Sequence, residues 1–388
     1  MKHIFAFFFI FFIIFRIKIS YIDLTPLLFI VSLVYSVLLR LKIERWFCVF
    51  VSLYCVYFIY RLSVVLINSS IEINAEFILR DIRFLMSAFI SYIAALTLFR
   101  MYGDERKTHY LIYSVLFLQP LVMFVQLLSP EVRYLSTIYL PFDDNYHAFR
   151  VNGLMNGYVP AGNFLGIISL YSFYLYHAYK KHIFIYMPFS FLILFPISGL
   201  SGLSAFLIGF VVFIFLKSNF KDKILSLIII FILLVCAIVM YPYIVSNNPD
   251  LSKGFDRILV LFGKNESDVN ATVDGSFDVL MNTYALPDGV INFIIGNAQQ
   301  TKSLYATTTS DAGIISTIHE FGILAYIFMF APLFYIINRA KSLFVLMLFG
   351  AFFIVFLKIN FFYSRIAFDF FMLVTFLSIF FRKQQEKG

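Results

Sequence analysis

Apolar runs recur along the whole chain, each closed by a short polar or charged punctuation. The runs fall at roughly 4–21, 24–40, 46–67, 83–101, 109–128, 161–179, 183–197, 203–217, 224–245, 312–338, 343–359 and 363–381. A helix needs about 20 apolar residues to cross the hydrocarbon of a bilayer. Most of these runs reach or approach that length, and none shows the strict alternation of a half-buried strand. The pattern predicts an all-α, polytopic integral membrane protein with about twelve transmembrane helices. Some runs are short enough to need local thinning or re-entrant packing. The opening MKHIFAFFFIFFIIFR resembles the basic and apolar regions of a signal peptide, but Arg16 and Lys18 follow where small residues would mark a cleavage site. It reads as an uncleaved first helix.

The polar punctuation carries a bias in charge. With the N-terminus inside, one face collects Lys2, Arg40, Lys42, Arg45, Arg100, Arg106, Lys107, Lys180, Lys181, Lys217, Lys221, Lys223, Arg339, Lys341, Arg382, Lys383 and Lys387. That is 17 of the 30 basic residues with five acids, whereas the rest of the chain holds 13 basic against 17 acidic residues. The positive-inside rule then places both termini in the cytoplasm. Two outward loops are long, about 129–160 and 246–311. The second is too long for a passive connector. Its stretch GSFDVLMNTYALPDGVINFII (275–295) is semi-apolar and predicts short helices lying over the outer membrane face. No repeat and no detachable soluble domain interrupts 1–388, which reads as a single transmembrane domain.

Composition agrees. Of 388 residues, 61% are hydrophobic and 13% charged, too few charges to cover a soluble protein of this size. The net charge of +8 is accounted for by the cytoplasmic face, so it gives no nucleic-acid signal. Cys48, Cys55 and Cys236 lie inside apolar runs and read as buried small hydrophobes, not as disulfides or metal ligands. The six histidines are scattered, with no zinc spacing.

The informative charges are those that break the orientation rule. Arg61, Arg80, Arg83, Arg150, Arg257, Lys358 and Arg365 map to outer loops or outer helix ends. Arginine keeps its charge and offers a planar fork that matches phosphate. The cluster suits an anionic lipid head such as a diphosphate; snorkelling to ordinary lipid, or pairing with nearby acids as at Arg365 and Asp369, is the plainer alternative. A second feature is TTTSDAGIISTIHEFGILAYIF (307–328). Ser310 or Asp311 suits the cap of a helix. On a continuous helix, Asp311 and Gly322 fall about 20° apart in projection and His319 about 80° from Asp311. That face would carry an acid near its outer mouth, with His319 and Glu320 deeper, as a candidate base or as polar groups bonding across helices. SGLSGLSA (198–205) reads as a close helix crossing. FRVNGLMNGYVPAGNFLG (149–166) opens a helix with an arginine, four glycines, a proline and Asn163.

Together these stretches resemble the O-antigen polymerase (Wzy-type) family and, more distantly, the O-antigen ligases. Arg150-Val-Asn-Gly153 followed by Pro160 and Asn163 is similar to that family's Arg-x-x-Gly…Pro-Asn stretch. SGLSGLSA resembles its small-residue turn, although Leu200 and Leu203 stand where many relatives have an arginine. Arg257 in GFDRILVLFG, Gly296 in NFIIGNA, and SDAGIISTIHEFGILAYI resemble the start and end of its long periplasmic loop. The resemblance implies a multi-pass glycosyltransferase of the bacterial inner membrane that joins undecaprenyl-diphosphate-linked oligosaccharide units on the periplasmic side. With the outward arginines it implies a substrate and diphosphate site led by Arg150 and Arg257, to which Arg61, Arg80, Arg83, Arg365 and Asn163 also contribute. It implies Asp311 as the group that handles the acceptor hydroxyl, with His319 and Glu320 in reserve. The chemistry calls for no metal and no cofactor; its partners are the lipid-linked oligosaccharide, membrane lipid and a chain-length regulator, with no nucleic acid. A ligase is the nearest alternative, and a lipid-linked oligosaccharide flippase is the non-enzyme alternative.

Overall fold

Among the described residues, three helices are long and apolar enough to cross a membrane: Arg45–Ile67, Asp81–Tyr102 and Glu105–Leu128. A fourth crossing results if Ile314–Phe321 and Leu324–Ala340, bent by 118° where they meet, count as one broken span. Shorter apolar helices accompany them at Lys2–Phe15, Thr25–Leu38, Ile183–Leu194, Gly202–Val212 and Leu343–Phe356. The structure is a computed structural model. It describes residues 2–15, 24–68, 75–139, 150–155, 157–216, scattered positions between 220 and 246, 286–287, 289–298, 313–358 and 365–386.

The described elements are all helical. They are α1 (Lys2–Phe15), α2 (Thr25–Leu38), α3 (Arg45–Ile67), α4 (Ala75–Tyr102), α5 (Glu105–Leu116), α6 (Leu118–Leu128), α7 (Pro130–Tyr139), α8 (Tyr158–Tyr179), α9 (Ile183–Ser190), α10 (Gly202–Gly209), α11 (Val290–Ile295), α12 (Gly313–Phe321), α13 (Leu324–Ala340), α14 (Leu343–Lys358) and α15 (Arg365–Gln385). Several expected spans are less regular than their hydropathy. Within the Glu105–Leu128 span the helix is interrupted at Phe117, dividing it into α5 and α6, because Pro120 has no N–H to offer the Leu116 carbonyl one turn back. Pro188 sits inside α9, which passes into a 3₁₀ turn at Phe191–Leu194. α10 continues as a π-helix over Phe210–Leu216. The run 312–338, expected as one helix, breaks after Phe321.

The outer surface has the polarity that lipid selects. On α2 the buried side chains are Thr25, Ser32 and Ser36, on one face, while Val37 and Leu38 are 67% and 74% exposed. A water-solvated helix would reverse that order; in lipid, small polar residues pack inward and aliphatic ones face out.

By contacts the chain forms two units. The first comprises Met1–Asp23, Asp104–Gly275 and Met347–Val355. Its axis is α8, which is buried along most of its length, with α5, α9 and α10 packed on it. The second comprises Leu24–Gly103, Ser276–Leu346 and Phe356–Gly388. There α4 packs on α2 and α15, and α3 on α13. An aromatic cluster locks one end: the Phe47 and Tyr92 rings stack with centroids 4.1 Å apart, and Trp46 lies 5.5 Å from Phe376. Tyr92 Oη accepts the Glu44 N–H at 2.9 Å, and Lys383 Nζ pairs with Glu44 Oε2 at 2.8 Å.

Candidate functional site: a braced arginine at a helix threshold

Residues 150–155, just before α8, have no regular backbone, so their peptide groups need partners from elsewhere. Two glutamines of α6 supply them. Gln119 and Gln126 stand seven residues apart, hence on one face of the helix, and both are fully buried. Gln126 Oε1 accepts the N–H groups of Asn152 and Gly153, at 3.2 and 2.8 Å. Gln119 Oε1 accepts the N–H of Leu154 at 2.7 Å, while its Nε2 donates to the Asn152 carbonyl at 3.0 Å. Gln126 Nε2 donates to Ser136 Oγ on α7 at 2.8 Å and to the Gly153 carbonyl at 3.2 Å. Asn152 Nδ2 closes the turn on the Met155 carbonyl at 2.7 Å. Gly153 has φ +61°, and a Cβ there would come within 2.6 Å of Gln119 Cδ. Its backbone conformation disfavours any Cβ, and a side chain there would displace the Gln119 amide from the brace.

This brace fixes Arg150. Val151 N–H donates to the Ile197 carbonyl at 2.9 Å, Arg150 Nη2 donates to the Ser198 carbonyl at 2.8 Å, and the guanidinium lies over the Tyr158 ring, 4.4 Å from its centroid. The acceptor turn is held against α8 by glycines. A Cβ on Gly162 or Gly166 would strike the backbone of Gly199 or Gly202. The close crossing expected of SGLSGLSA is therefore present, and it sets Ser198 and Ser201 beside the start of α8. Asn163 is fully buried there; its Oδ1 accepts from Ser201 Oγ at 2.5 Å, while Nδ2 has no partner among the described residues.

The second unit gathers other candidates around the break between α12 and α13. Gly322 has φ +69°. The last four carbonyls of α12 are each met: Ile318 by Gly322 N–H (2.8 Å), His319 by Asn297 N–H (3.1 Å), Glu320 by Ala298 N–H (2.9 Å) and Phe321 by Tyr60 Oη (2.8 Å). Ile323 N–H turns away to the Phe293 carbonyl at 2.9 Å. Glu320 is buried and His319 half-buried. Arg61, 2% exposed, pairs with Asp81 and lies over the Phe321 ring, 4.2 Å from its centroid. For Arg61 the acid-paired alternative is thus realised. Arg83 is half-buried. Arg80 and Arg365 lie in α4 and α15, with side chains outside the described residues; Asp311, Arg257 and the side chain of Lys358 also lie outside them. Since α12 ends at Phe321, the wheel that placed Asp311 beside Gly322 on one continuous helix does not apply.

Arg150 and Asn163 therefore share one local arrangement in the first unit, and Arg61, His319 and Glu320 another in the second. Among the described residues, no three or more His, Cys, Asp and Glu side chains form a group able to hold a metal ion. The sequence reading passed over Gln119 and Gln126, two amides inside an apolar run, whose seven-residue spacing was the available signal. It also passed over Arg133, buried on α7. Ser129-Pro130-Glu131 before it is a helix-start signature within the stretch read as loop. No family model, no curated protein and no solved structure matches the chain.

Proposed function

We propose that the chain is an O-antigen polymerase: a multi-pass inner-membrane glycosyltransferase that joins undecaprenyl-diphosphate-linked oligosaccharide units on the periplasmic side. In this reading it has about twelve spans, both termini are cytoplasmic, and the long loops near 129–160 and 246–311 face the periplasm. The growing chain leaves its lipid diphosphate as a hydroxyl of the incoming lipid-linked unit attacks its anomeric carbon. Arg150 and Arg257 take the charge developing on the departing diphosphate, and Asp311 accepts the proton of the attacking hydroxyl, with His319 or Glu320 in reserve.

The observation that carries this reading is the bracing of Arg150. Irregular backbone at a span's edge is tolerated where protein buries it or an aqueous cavity borders it. Here two buried glutamines and a mandatory glycine serve to hold one arginine in one place. A guanidinium held by a carbonyl and an aromatic face is preorganised for an oxyanion and does not reorganise as charge develops.

The test is reconstitution of the purified protein with a lipid-linked repeat unit. Wild type yields polymer, while Arg150→Ala at equal protein level yields none and Arg150→Lys little. A full ladder from Arg150→Ala removes the assigned role. Transfer of finished chains to a lipid A core acceptor without polymer would identify a ligase, and movement of single units between leaflets without bond formation a flippase.

A further inference from the structure

The Arg133 side chain takes no part in the arrangement that holds Arg150. The backbone of Arg133 does join the brace: its carbonyl accepts from Ser136 Oγ at 2.7 Å, and Ser136 Oγ takes the Gln126 amide. The residue is 2% exposed, and among the described residues Nε and Nη1 are enclosed and make no hydrogen bond. No ion pair to Arg133 is present among the described residues either. α7 packs on α6, which carries no acid at all, and the single acid of α7, Glu131, is exposed to the outside.

An enclosed carboxylate or lysine escapes such a position by becoming neutral. A guanidinium stays protonated, so its charge has to be met by an anion. Its planar fork matches the paired oxygens of a phosphate. α7 begins directly after the apolar Glu105–Leu128 helix. On the charge-based orientation, that end is the outer one, which sets Arg133 at headgroup level.

We infer that Arg133 is a second anion-binding residue of the first unit, and that it takes a phosphate-class oxyanion presented at the outer membrane face. The inference rests on the proposed function only for the natural source, a lipid-linked diphosphate; the chemistry is shared with a phospholipid headgroup and with free pyrophosphate.

The experiment uses the full chain in neutral phosphatidylcholine nanodiscs and reads the thermal unfolding midpoint. Three probes are added separately: inorganic pyrophosphate, undecaprenyl diphosphate in the disc, and phosphatidylglycerol in the disc. The wild-type midpoint is expected to rise with at least one, and the responding probe assigns the source. Arg133→Met is expected to unfold at a higher temperature than wild type in anion-free discs, because an uncompensated buried charge has gone. Its apparent affinity for the responding probe is expected to fall about tenfold or more. Arg133→Lys keeps charge without the fork and should lie between the two; should Arg133→Met not fold, wild type against Arg133→Lys carries the comparison. A wild-type midpoint indifferent to all three probes overturns the inference. So does an Arg133→Met protein that is less stable than wild type without anion and unchanged in affinity, which would assign the charge to a carboxylate of the chain itself. Polymer formation is scored separately, so lost binding with intact turnover, or the reverse, separates failure of this inference from failure of the proposed function.

Discussion

Gly153 shows how much one position can demand. Its φ of +61° disfavours any residue with a Cβ, and the Gln119 amide occupies the space a methyl would need. The two costs add, roughly 1–2 kcal/mol for the left-handed backbone and about 1–3 kcal/mol for the overpacking. Gly153→Ala is therefore expected to lower stability by about 2–5 kcal/mol, and to weaken polymer formation by displacing Arg150 three residues away. Gly350 is the control: it lies inside α14 with nothing within 4 Å of a built Cβ. There, Gly→Ala should stabilise slightly, by about 1 kcal/mol at most, through helix propensity. Thermal unfolding of both variants in one detergent makes the comparison, and equal effects at the two glycines would remove the argument. Neither the positive φ nor the glutamine contact was legible in the sequence. RVNG shows a glycine after an asparagine, and only the fold brings a residue from 34 positions earlier against it.

At the scale of elements, the apolar runs among the described residues coincide with helices but pass over their interruptions. The run 312–338 is apolar from end to end, so a sliding count of apolar residues passes straight over Gly322. What breaks the helix is partners from outside it. Tyr60 and residues 297–298 take the carbonyls that the next turn would have taken, and Phe293 accepts the first N–H beyond. Gly296 and Gly322 let the two backbones meet; a Cβ on Gly296 would stand 2.5 Å from the Gly322 nitrogen. Long-range pairing of this kind leaves no local trace except the glycines. Gly322→Ala is expected to release the 290–298 segment from α12. Hydrogen exchange followed by mass spectrometry should show faster exchange at Asn297, Ala298 and Ile323, the three donors that bridge the break, with exchange in α4 and α15 unchanged. Uniform exchange between variant and wild type would mean the break is held by other contacts. The same break places the Phe321 ring against Arg61, so the acid-paired arginine and the bend belong to one packing unit.

At the scale of the whole molecule, the sequence carried the solvent and the side chains carried the exceptions. Inward Thr25, Ser32 and Ser36 against outward Val37 and Leu38 on α2 are the burial pattern of a helix that faces lipid. Burial inverts there because bilayer solvates aliphatic groups and leaves hydroxyls to pair within the protein. Charge supplies the remaining step, orientation, since lysine and arginine near span ends are retained on the cytoplasmic side during insertion. The helix ends carry that bias locally: Lys180 and Lys341, both in left-handed C-cap positions after α8 and α13, follow His177 and Arg339 in the last turns. Single cysteines placed at Lys180 and at Ser342, in a background lacking Cys48, Cys55 and Cys236, should resist a membrane-impermeant maleimide applied to intact cells and react after permeabilisation. Cysteines at Tyr134, exposed on α7, and at Leu286, exposed before α11, should react in intact cells. The reverse labelling would turn Arg133 and Arg150 toward the cytoplasm, where periplasmic lipid-linked units are absent, and the proposed function would fall with it. Labelling of all four sites from one side would instead break the count of spans between α7 and α8. The charge bias predicts alternation across that interval, with Lys180 and Lys181 inside and α7 outside on the proposed topology.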